Sequence, residues 1–223
     1  MHIGLIGGIG PAATDYYYRS LIREFAILGE QLELTIVHAD APTLIDNLAK
    51  NDADSQIDIY NRLTERLASA GAECVVITSI AGHFCIEPFK QDSRLEVIDM
   101  LKAVDVAISS RGLKRVGILG TKSVMETAFY SGISTADVIA PAGRALNEVH
   151  TAYVNMATSG KVNSSQRAIF DSACKWFKEQ AKVDAVVLGG TDLALVYKEG
   201  QSFVPVVDCV AIHVNAIISS AIG

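Results

Sequence analysis

The sequence lacks the features that mark membrane-spanning, secreted and nucleic-acid-binding proteins. No stretch approaches the roughly 20 uninterrupted apolar residues that a bilayer-spanning helix needs. Residues 1–6 enter a strand-like apolar run directly, without the basic start and cleavage region of a signal peptide. Basic residues are scattered and the formal net charge is -6, so no surface that tracks phosphates is expected. We therefore expect a soluble, cytoplasmic protein with no membrane and no nucleic acid among its partners.

Cysteine is sparse as well, and the four cysteines do not form a metal-binding or redox motif. Cys74, Cys85, Cys174 and Cys209 show no C-x-x-C spacing. Cys74 and Cys209 lie inside apolar segments, where a thiol usually behaves as a small hydrophobic group. We predict that the cysteines are reduced and mostly buried, and that there is no metal site.

The residues that are present are typical of a globular α/β protein. Half of the 223 residues are apolar and only 20% are charged, which is enough to bury a core. Short apolar runs alternate with segments of helical periodicity, and this alternation predicts parallel sheets covered on both faces. The runs lie at residues 3–6, 34–37, 75–77, 116–119, 185–188 and 204–207.

The pattern of runs repeats itself along the chain. Residues 3–7 (IGLIG) return as residues 116–120 (VGILG), and a second run, at 73–77, returns at 185–189. Such an internal repeat predicts two similar α/β lobes. We place the first lobe at residues 1–102 plus 208–223, with the last helix returning to it. The second lobe covers residues 103–207.

The loops after the strands hold the candidate site, because ligands of open α/β sheets bind beyond the carboxyl ends of the strands. Gly8-x-Gly10-x-x-Ala13 follows the first strand and loosely fits the dinucleotide fingerprint. However, Pro11 stands where the turn should run on into the helix, and no acidic residue is cleanly placed about 20 residues further on. NAD is therefore disfavoured. Backbone N–H groups of such a loop can bind a carboxylate instead.

Two other loops carry candidate residues. Residues 120–123 (GTKS) resemble the end of a phosphate-binding loop, but a helix start with a hydroxyl N-cap such as Thr121 is favoured. After the third strand, His83 could be a structural or a functional group, and Glu87 could pair with it. Asp208, after the last strand, is interpreted as a helix cap.

Three segments together resemble the aspartate/glutamate racemase family, and the resemblance covers essentially the whole chain. They are residues 3–14 (IGLIGGIGPAAT), residues 116–121 (VGILGT) and residues 187–193 (VLGGTDL). The resemblance implies two Rossmann-like lobes related by a pseudo-two-fold axis, with an active-site cleft between them, and a homodimer that uses no cofactor. In this family one cysteine thiolate removes the α-proton of an amino acid, and a second cysteine on the opposite face returns a proton.

The sequence departs from the family at both cysteines. Ser79 stands at the position of the first cysteine and Gly190 at the position of the second. A serine hydroxyl is a far weaker acid than a thiol with a pKa of about 8.5, and glycine has no side chain. The resemblance gives the catalytic positions as Ser79, His83, Gly190 and Asp192. It gives the substrate-binding positions as Gly8, Ile9, Gly10, Asn47, Thr78, Ile80, Ala81, Thr121 and Thr191.

These residues predict a family protein with altered chemistry. His83 would be a general base or acid and Asp192 its partner or a second base, in cofactor-independent isomerase- or racemase-type chemistry on a small amino or dicarboxylic acid. The apolar residues 80–81 and Asn47 replace groups with which the family binds substrate, so true aspartate racemisation is not expected. Two alternatives stay open. One is a catalytically inactive protein that binds a small carboxylate-bearing ligand or regulates, and the other is a one-base isomerase, decarboxylase or lyase that uses His83 or Cys85.

Overall fold

The computed structural model of the chain describes residues 1–9, 11–197 and 202–223, in which strands and helices alternate. The strands are β1 (His2–Gly7), β2 (Glu33–His38), β3 (Cys74–Ile77), β4 (Glu96–Val97), β5 (Arg115–Gly120), β6 (Asp137–Ile139), β7 (Ala185–Gly189) and β8 (Val206–Asp208). The helices are α1 (Pro11–Leu28), α2 (Ala41–Lys50), α3 (Ala53–Ser69), α4 (Ile86–Asp92), α5 (Met100–Ser110), α6 (Lys122–Glu126), α7 (Gly143–Ser159), α8 (Ser164–Trp176) and α9 (Cys209–Ile222). Short 3-10 turns, Ala81–Cys85 and Thr191–Leu195, follow β3 and β7, and a π-helical turn, Phe177–Ala181, extends α8.

The described residues form two compact units. The first unit holds Met1–Asp99 and His213–Gly223, and the second unit holds Met100–Ile212. The last helix, α9, therefore begins in the second unit and ends in the first. The division made from the sequence falls at residues 102/103 and 207/208.

The first unit contains a parallel sheet with the strand order β2-β1-β3-β4. Leu5 of β1 pairs with Ile36 of β2 and with Val76 of β3. All residues of β3 are buried, which requires cover on both faces of the sheet. Helix α3 supplies part of this cover at Gly4, where an added Cβ would lie 2.9 Å from Leu67 Cδ1.

The second unit contains a parallel sheet with the strand order β6-β5-β7-β8. This order corresponds to that of the first sheet, so the repeat in the sequence has a counterpart in the topology. At Gly117 of β5 the ring of Phe177 packs so closely that a Cβ would lie 2.8 Å from it. The prediction of an α/β fold, with two lobes of parallel sheet flanked by helices, is confirmed.

Local signals explain where several helices begin and end. Asp40 is the N-cap of α2 and accepts from the N–H of Thr43 at 3.0 Å. Asp208 precedes α9 and accepts from the N–H of Val210 at 3.0 Å, which confirms the predicted cap. Gly160 ends α7 in the left-handed conformation, with φ 65°.

The four cysteines are free and buried, as predicted. Within the residues that the structure describes, no helix is long and apolar enough to cross a membrane. In the same residues no group of three or more His, Cys, Asp or Glu side chains could hold a metal ion.

Candidate functional site

The carboxyl ends of β1 and β3 lie side by side in the first unit, where Thr78 joins them. Thr78 follows β3 and is fully buried. Its hydroxyl donates to the carbonyl of Ile6 at 3.1 Å, and the hydroxyl of Thr14 lies 2.8 Å away and donates to it. Thr78 was predicted to bind substrate, but its hydroxyl is used to tie the two strand ends together.

The loop after β1 packs tightly against the residues after β2. A Cβ at Gly8 would lie 2.8 Å from the carbonyl oxygen of Ala39, so a larger residue does not fit here. Ile9 and Ser79 line a cavity of only about 10 Å³, close to the smallest space that holds one water. Gly10, also predicted to bind substrate, lies outside the described residues. This cavity is thus nearly filled by the side chains of the unit itself.

His83 is buried in the 3-10 turn after β3, with 1% of its surface exposed. Its Nδ1 lies 2.7 Å from the carbonyl oxygen of Ser79. A carbonyl only accepts, so Nδ1 carries the proton and the neutral ring keeps a lone pair on Nε2. This Nε2 is buried and has no hydrogen-bond partner among the described residues. Burial also lowers the pKa of His83, which favours the neutral ring.

A second buried histidine, His213 on α9, is fully used by the fold. Its ring stands edge-on to that of His83, with the ring centroids 6.0 Å apart. The Nε2–H donates to the carbonyl of Ile98 at 2.7 Å, so Nδ1 accepts from the hydroxyl of Tyr17, also at 2.7 Å. Burial lowers the pKa of His213 to about 3. Of the two rings, it is therefore His83 that keeps an unpartnered nitrogen.

Two other groups predicted near His83 play different parts. Glu87 is exposed and pairs with Lys90, with 2.9 Å between Oε1 and Nζ, so its predicted pairing with His83 is wrong. The physical reason is that the donor nitrogen of His83 is already bound to a backbone carbonyl. Burial raises the pKa of the Cys85 thiol to about 12. Such a thiol stays protonated near neutral pH and is unsuited to act as a base.

Asn47 takes part in a buried chain of side-chain hydrogen bonds. Its Nδ2 donates to Oε1 of Gln56 at 3.1 Å, and Nε2 of Gln56 donates to the hydroxyl of Tyr60 at 2.8 Å. That hydroxyl donates to the carbonyl of Gly82 at 3.3 Å, next to His83. At this position, which the resemblance gives as substrate-binding, the chain thus has a neutral amide anchored to α3.

The residues just before His83 are buried. Ile80 is 2% exposed and Ser79 is 8% exposed. Ala81 begins the 3-10 turn that presents His83. The segment from Ser79 to Ala81 therefore contributes its backbone to the site, above all the Ser79 carbonyl that orients the imidazole.

The carboxyl ends of β5 and β7 carry the predicted residues of the second unit. Thr121, after β5, is the N-cap of α6, and its hydroxyl accepts from the N–H of Val124 at 3.3 Å. The interpretation of this segment as a helix start is confirmed. Thr191 and Asp192 begin the 3-10 turn after β7, and both are half-buried.

The ring of Tyr153, on α7, fills the space beside Gly190. A Cβ added to Gly190 would lie 2.3 to 2.5 Å from the ring and hydroxyl atoms of Tyr153. The residue is 9% exposed, and its hydroxyl lies 3.5 Å from Oδ2 of Asp192. Burial, and then the neighbouring Asp192 carboxyl, raise the pKa of Tyr153, so the phenol stays protonated. Burial also raises the pKa of Asp192.

Sequence reasoning missed Tyr153. It lies on an amphipathic helix among buried residues at helical spacing, such as Val149 and Met156, so its pattern is that of an ordinary core residue. The available signal was indirect. A glycine at Gly190, where the family has a side chain, indicates that a neighbour takes up the space.

The chain resembles known proteins over its full length. Residues 6–217 match the family model described as Asp/Glu/hydantoin racemase. A candidate Asp/Glu racemase from Yersinia pestis has a TM-score of 0.89 and is 26% identical, with 100% of both chains covered. An aspartate racemase homologue from Pyrococcus horikoshii OT3 has a TM-score of 0.82 at 24% identity, over 100% of this chain and 99% of that chain. The aspartate racemase of Picrophilus torridus has a TM-score of 0.74 at 20% identity, over 99% of this chain and 94% of that chain.

Proposed function

We propose that this chain, which belongs to the Asp/Glu/hydantoin racemase family, moves a proton on a small amino or dicarboxylic acid by cofactor-independent isomerase- or racemase-type chemistry. The observation that carries the proposal is the buried, neutral ring of His83, whose Nε2 has no partner among the described residues. A neutral imidazole with a free lone pair is the form that accepts a proton. Its other nitrogen is held by the Ser79 carbonyl, which fixes the orientation of the ring.

Under this proposal the chemistry does not depend on a thiolate. The hydroxyl of Ser79 is too weak an acid to serve as a base near neutral pH. In the second unit, Asp192 is the ionisable side chain at the end of β7, and burial raises its pKa toward the range in which acid/base groups work. We therefore assign removal of the α-proton to His83 and give Asp192 a supporting part in the second unit.

The ligand that we propose is small and carries a carboxylate. Thr78 and Asn47 use polar groups inside the protein, so they are poor candidates for binding that carboxylate. Backbone N–H groups of the loop at Gly8 and Ile9, and the half-buried Thr191, are better ones. The structure from Picrophilus torridus is described as an aspartate racemase, and aspartate is a small dicarboxylic amino acid, which supports this class of ligand.

The second candidate function is a catalytically inactive protein that binds a small acid. The observation that favours it is the ring of Tyr153 beside Gly190, which fills the position of the family's second thiol. Cys85 does not replace a lost thiol, because burial raises its pKa to about 12. Under this candidate, small acids bind and keep their protons.

Deuterium exchange at the α-carbon separates these candidates. Purified protein in D₂O is mixed with D- and L-aspartate, D- and L-glutamate and a panel of small acids, and exchange is followed by NMR. We expect exchange with at least one of them. Exchange with both enantiomers of an acid would indicate acid/base groups on both sides of the carbon, and exchange with one would indicate a one-base enzyme. No exchange across the panel would contradict the proposal and favour the binding protein.

We also propose that the protein is a homodimer, as the family resemblance implies. Helix α1 and strand β2 together expose an apolar face that includes Tyr18, Ile22 and Ile36, which suits a contact between copies. Light scattering should then give twice the chain mass of 23.8 kDa. A mass of one chain across the concentration range would contradict this.

A further inference from the structure

The side-chain space at Gly190 is occupied by another residue. A Cβ at this position would lie 2.3 Å from Cε2, 2.4 Å from Cζ and 2.5 Å from the hydroxyl oxygen of Tyr153. Van der Waals contact between such atoms begins at about 3.5 Å. A side chain at residue 190 and the observed ring of Tyr153 therefore exclude each other.

One of the three Tyr153 atoms that occupy this space is the polar hydroxyl oxygen. The Tyr153 hydroxyl lies 3.5 Å from Oδ2 of Asp192, which is long for an O–H···O hydrogen bond, whose usual length is about 2.7–2.8 Å. The hydroxyl is thus held beside a carboxyl without being tightly bound to it. A ligand oxygen that comes closer can accept the proton of the hydroxyl in its place.

We infer that Tyr153, through its hydroxyl, supplies in the second unit the ligand contact that residue 190 cannot supply, and that Asp192 positions this hydroxyl. The inference rests on the proposed function, since it takes the ligand to be a small acid with a carboxylate. A phenol O–H that donates to a carboxylate oxygen forms a charge-assisted hydrogen bond, which is stronger than one between neutral groups.

This contact restricts the chemistry of the second unit. The phenol stays protonated near neutral pH, so Tyr153 donates a hydrogen bond or a proton and does not accept one from carbon. The base then belongs to the first unit alone. We accordingly expect α-proton exchange with one enantiomer of an acid and not with both.

The packing part of the inference is tested by a double-mutant cycle. Gly190→Cys in the wild-type chain should lower the unfolding midpoint strongly, because the new side chain meets the Tyr153 ring. The same change in a Tyr153→Ala background should lower it much less, since the ring is gone. Equal losses in the two backgrounds would overturn the claim that the ring occupies this space.

The ligand contact is tested by Tyr153→Phe, which keeps the ring and removes the hydroxyl. The matched control is Tyr197→Phe, since the hydroxyl of Tyr197 lies 3.1 Å from Asp171 in the same unit and is given no role in the site. Calorimetry with succinate and with D- and L-aspartate measures binding. We expect Kd to rise at least tenfold for Tyr153→Phe and to stay unchanged for Tyr197→Phe.

The positioning role of Asp192 is tested by its pH dependence. Among the described residues, the titratable groups that act on Asp192 and on its neighbour Tyr153 are Tyr153 itself and Tyr130. If the Asp192 carboxyl positions the hydroxyl, the wild-type Kd changes with pH as this carboxyl titrates, and Asp192→Asn removes that step. If the Kd of Asp192→Asn differs from that of the wild type by the same factor at every pH, Asp192 has only a structural role, and its positioning role is overturned.

Failure of this inference can be told apart from failure of the proposed function. Wild-type exchange together with equal binding by the wild type and Tyr153→Phe overturns the inference and leaves the function standing. Binding without exchange overturns the proposed reaction. The inference is then still decided by whether Kd rises at least tenfold in Tyr153→Phe. Absence of binding to the wild type for every probe overturns the inference.

Discussion

At the scale of single residues, the roles of two buried histidines depend on which ring nitrogens the fold uses. His213 donates to Ile98 and accepts from Tyr17, so both of its nitrogens are satisfied. His83 donates to Ser79 and keeps a buried Nε2 without a partner among the described residues. A buried polar atom without a partner is costly. Of the three such side-chain atoms among the described residues, those of Asn61, Thr64 and His83, the His83 nitrogen is the one that follows a strand end.

Replacing His83 by Asn should lower the rate of α-proton exchange by at least about 100-fold, since a general acid or base contributes about 10²–10⁴-fold. The amide of Asn can still donate to the carbonyl of Ser79, so the variant should stay folded. NMR exchange rates and circular dichroism check both points. A variant that exchanges at the wild-type rate would remove His83 from the mechanism.

Cys85→Ala is the matched control for His83→Asn, because Cys85 lies in the same turn. Its thiol stays protonated, since burial raises its pKa to about 12. The variant should therefore exchange protons as fast as the wild type. Loss of exchange in a folded Cys85→Ala protein would transfer the chemistry to the thiol.

The sequence predicts positions of the candidate site better than it predicts their surroundings. Counting from His83 and from the GGTD segment identifies Ser79 and Gly190 without a structure. The contact of Tyr153 with Gly190, and that of Asn47 with Gln56, depend on how helices pack on or beside the strand ends. Such contacts between elements leave no local pattern from which to predict them.

At the scale of secondary-structure elements, the turn at residues 128–131 stands out, because four consecutive residues other than glycine have positive φ. The angles are 49° for Ala128, 62° for Phe129, 55° for Tyr130 and 57° for Ser131. Left-handed backbone costs about 1–2 kcal/mol per such residue. Burial of Phe129 offsets part of this cost, and the turn places Tyr130 close to Tyr153.

Ser131→Gly should raise the free energy of unfolding by up to about 1 kcal/mol. Removing the exposed Ser131 side chain costs few contacts. Glycine removes the left-handed penalty, but it loses about 0.5–1 kcal/mol more conformational entropy on folding. Urea titrations measure the change. The matched reverse change is Gly160→Ala, at φ 65° with open space around the Cβ, which should destabilise by about 1 kcal/mol. Destabilisation by Ser131→Gly would contradict this assignment of strain.

The central strands could be predicted from the sequence because they are buried on both faces and form continuous apolar runs. Strands β4 and β6 could not, since they have only two and three residues and lie partly exposed at or near the sheet edges. Their pairing is decided by the neighbouring strand and not by their own composition. The left-handed turn at residues 128–131 could not be predicted either, because it contains no glycine, the residue that usually marks such a conformation.

At the scale of the whole molecule, buried neutral histidines make folding sensitive to acid. Burial lowers the pKa of His213 to about 3 in the folded chain, against about 6.5 when the chain is unfolded. Between these values the unfolded chain binds more protons, so stability falls as the pH falls, by about 1.4 kcal/mol per pH unit. Burial lowers the pKa of His83 in the same direction, while the nearby Asp99 opposes both shifts.

The change His213→Gln should flatten this dependence, because glutamine keeps one donor and one acceptor for Ile98 and Tyr17 but does not titrate. At pH 7 the variant should be less stable than the wild type, since its fit is poorer. The difference in unfolding free energy should then shrink by about 2 kcal/mol as the pH is lowered to about 4.5. Urea titrations across this range measure it. A constant difference for His213→Gln would mean that His213 does not contribute to acid sensitivity, and the loss of stability would then have to come from His83 or the carboxyl groups.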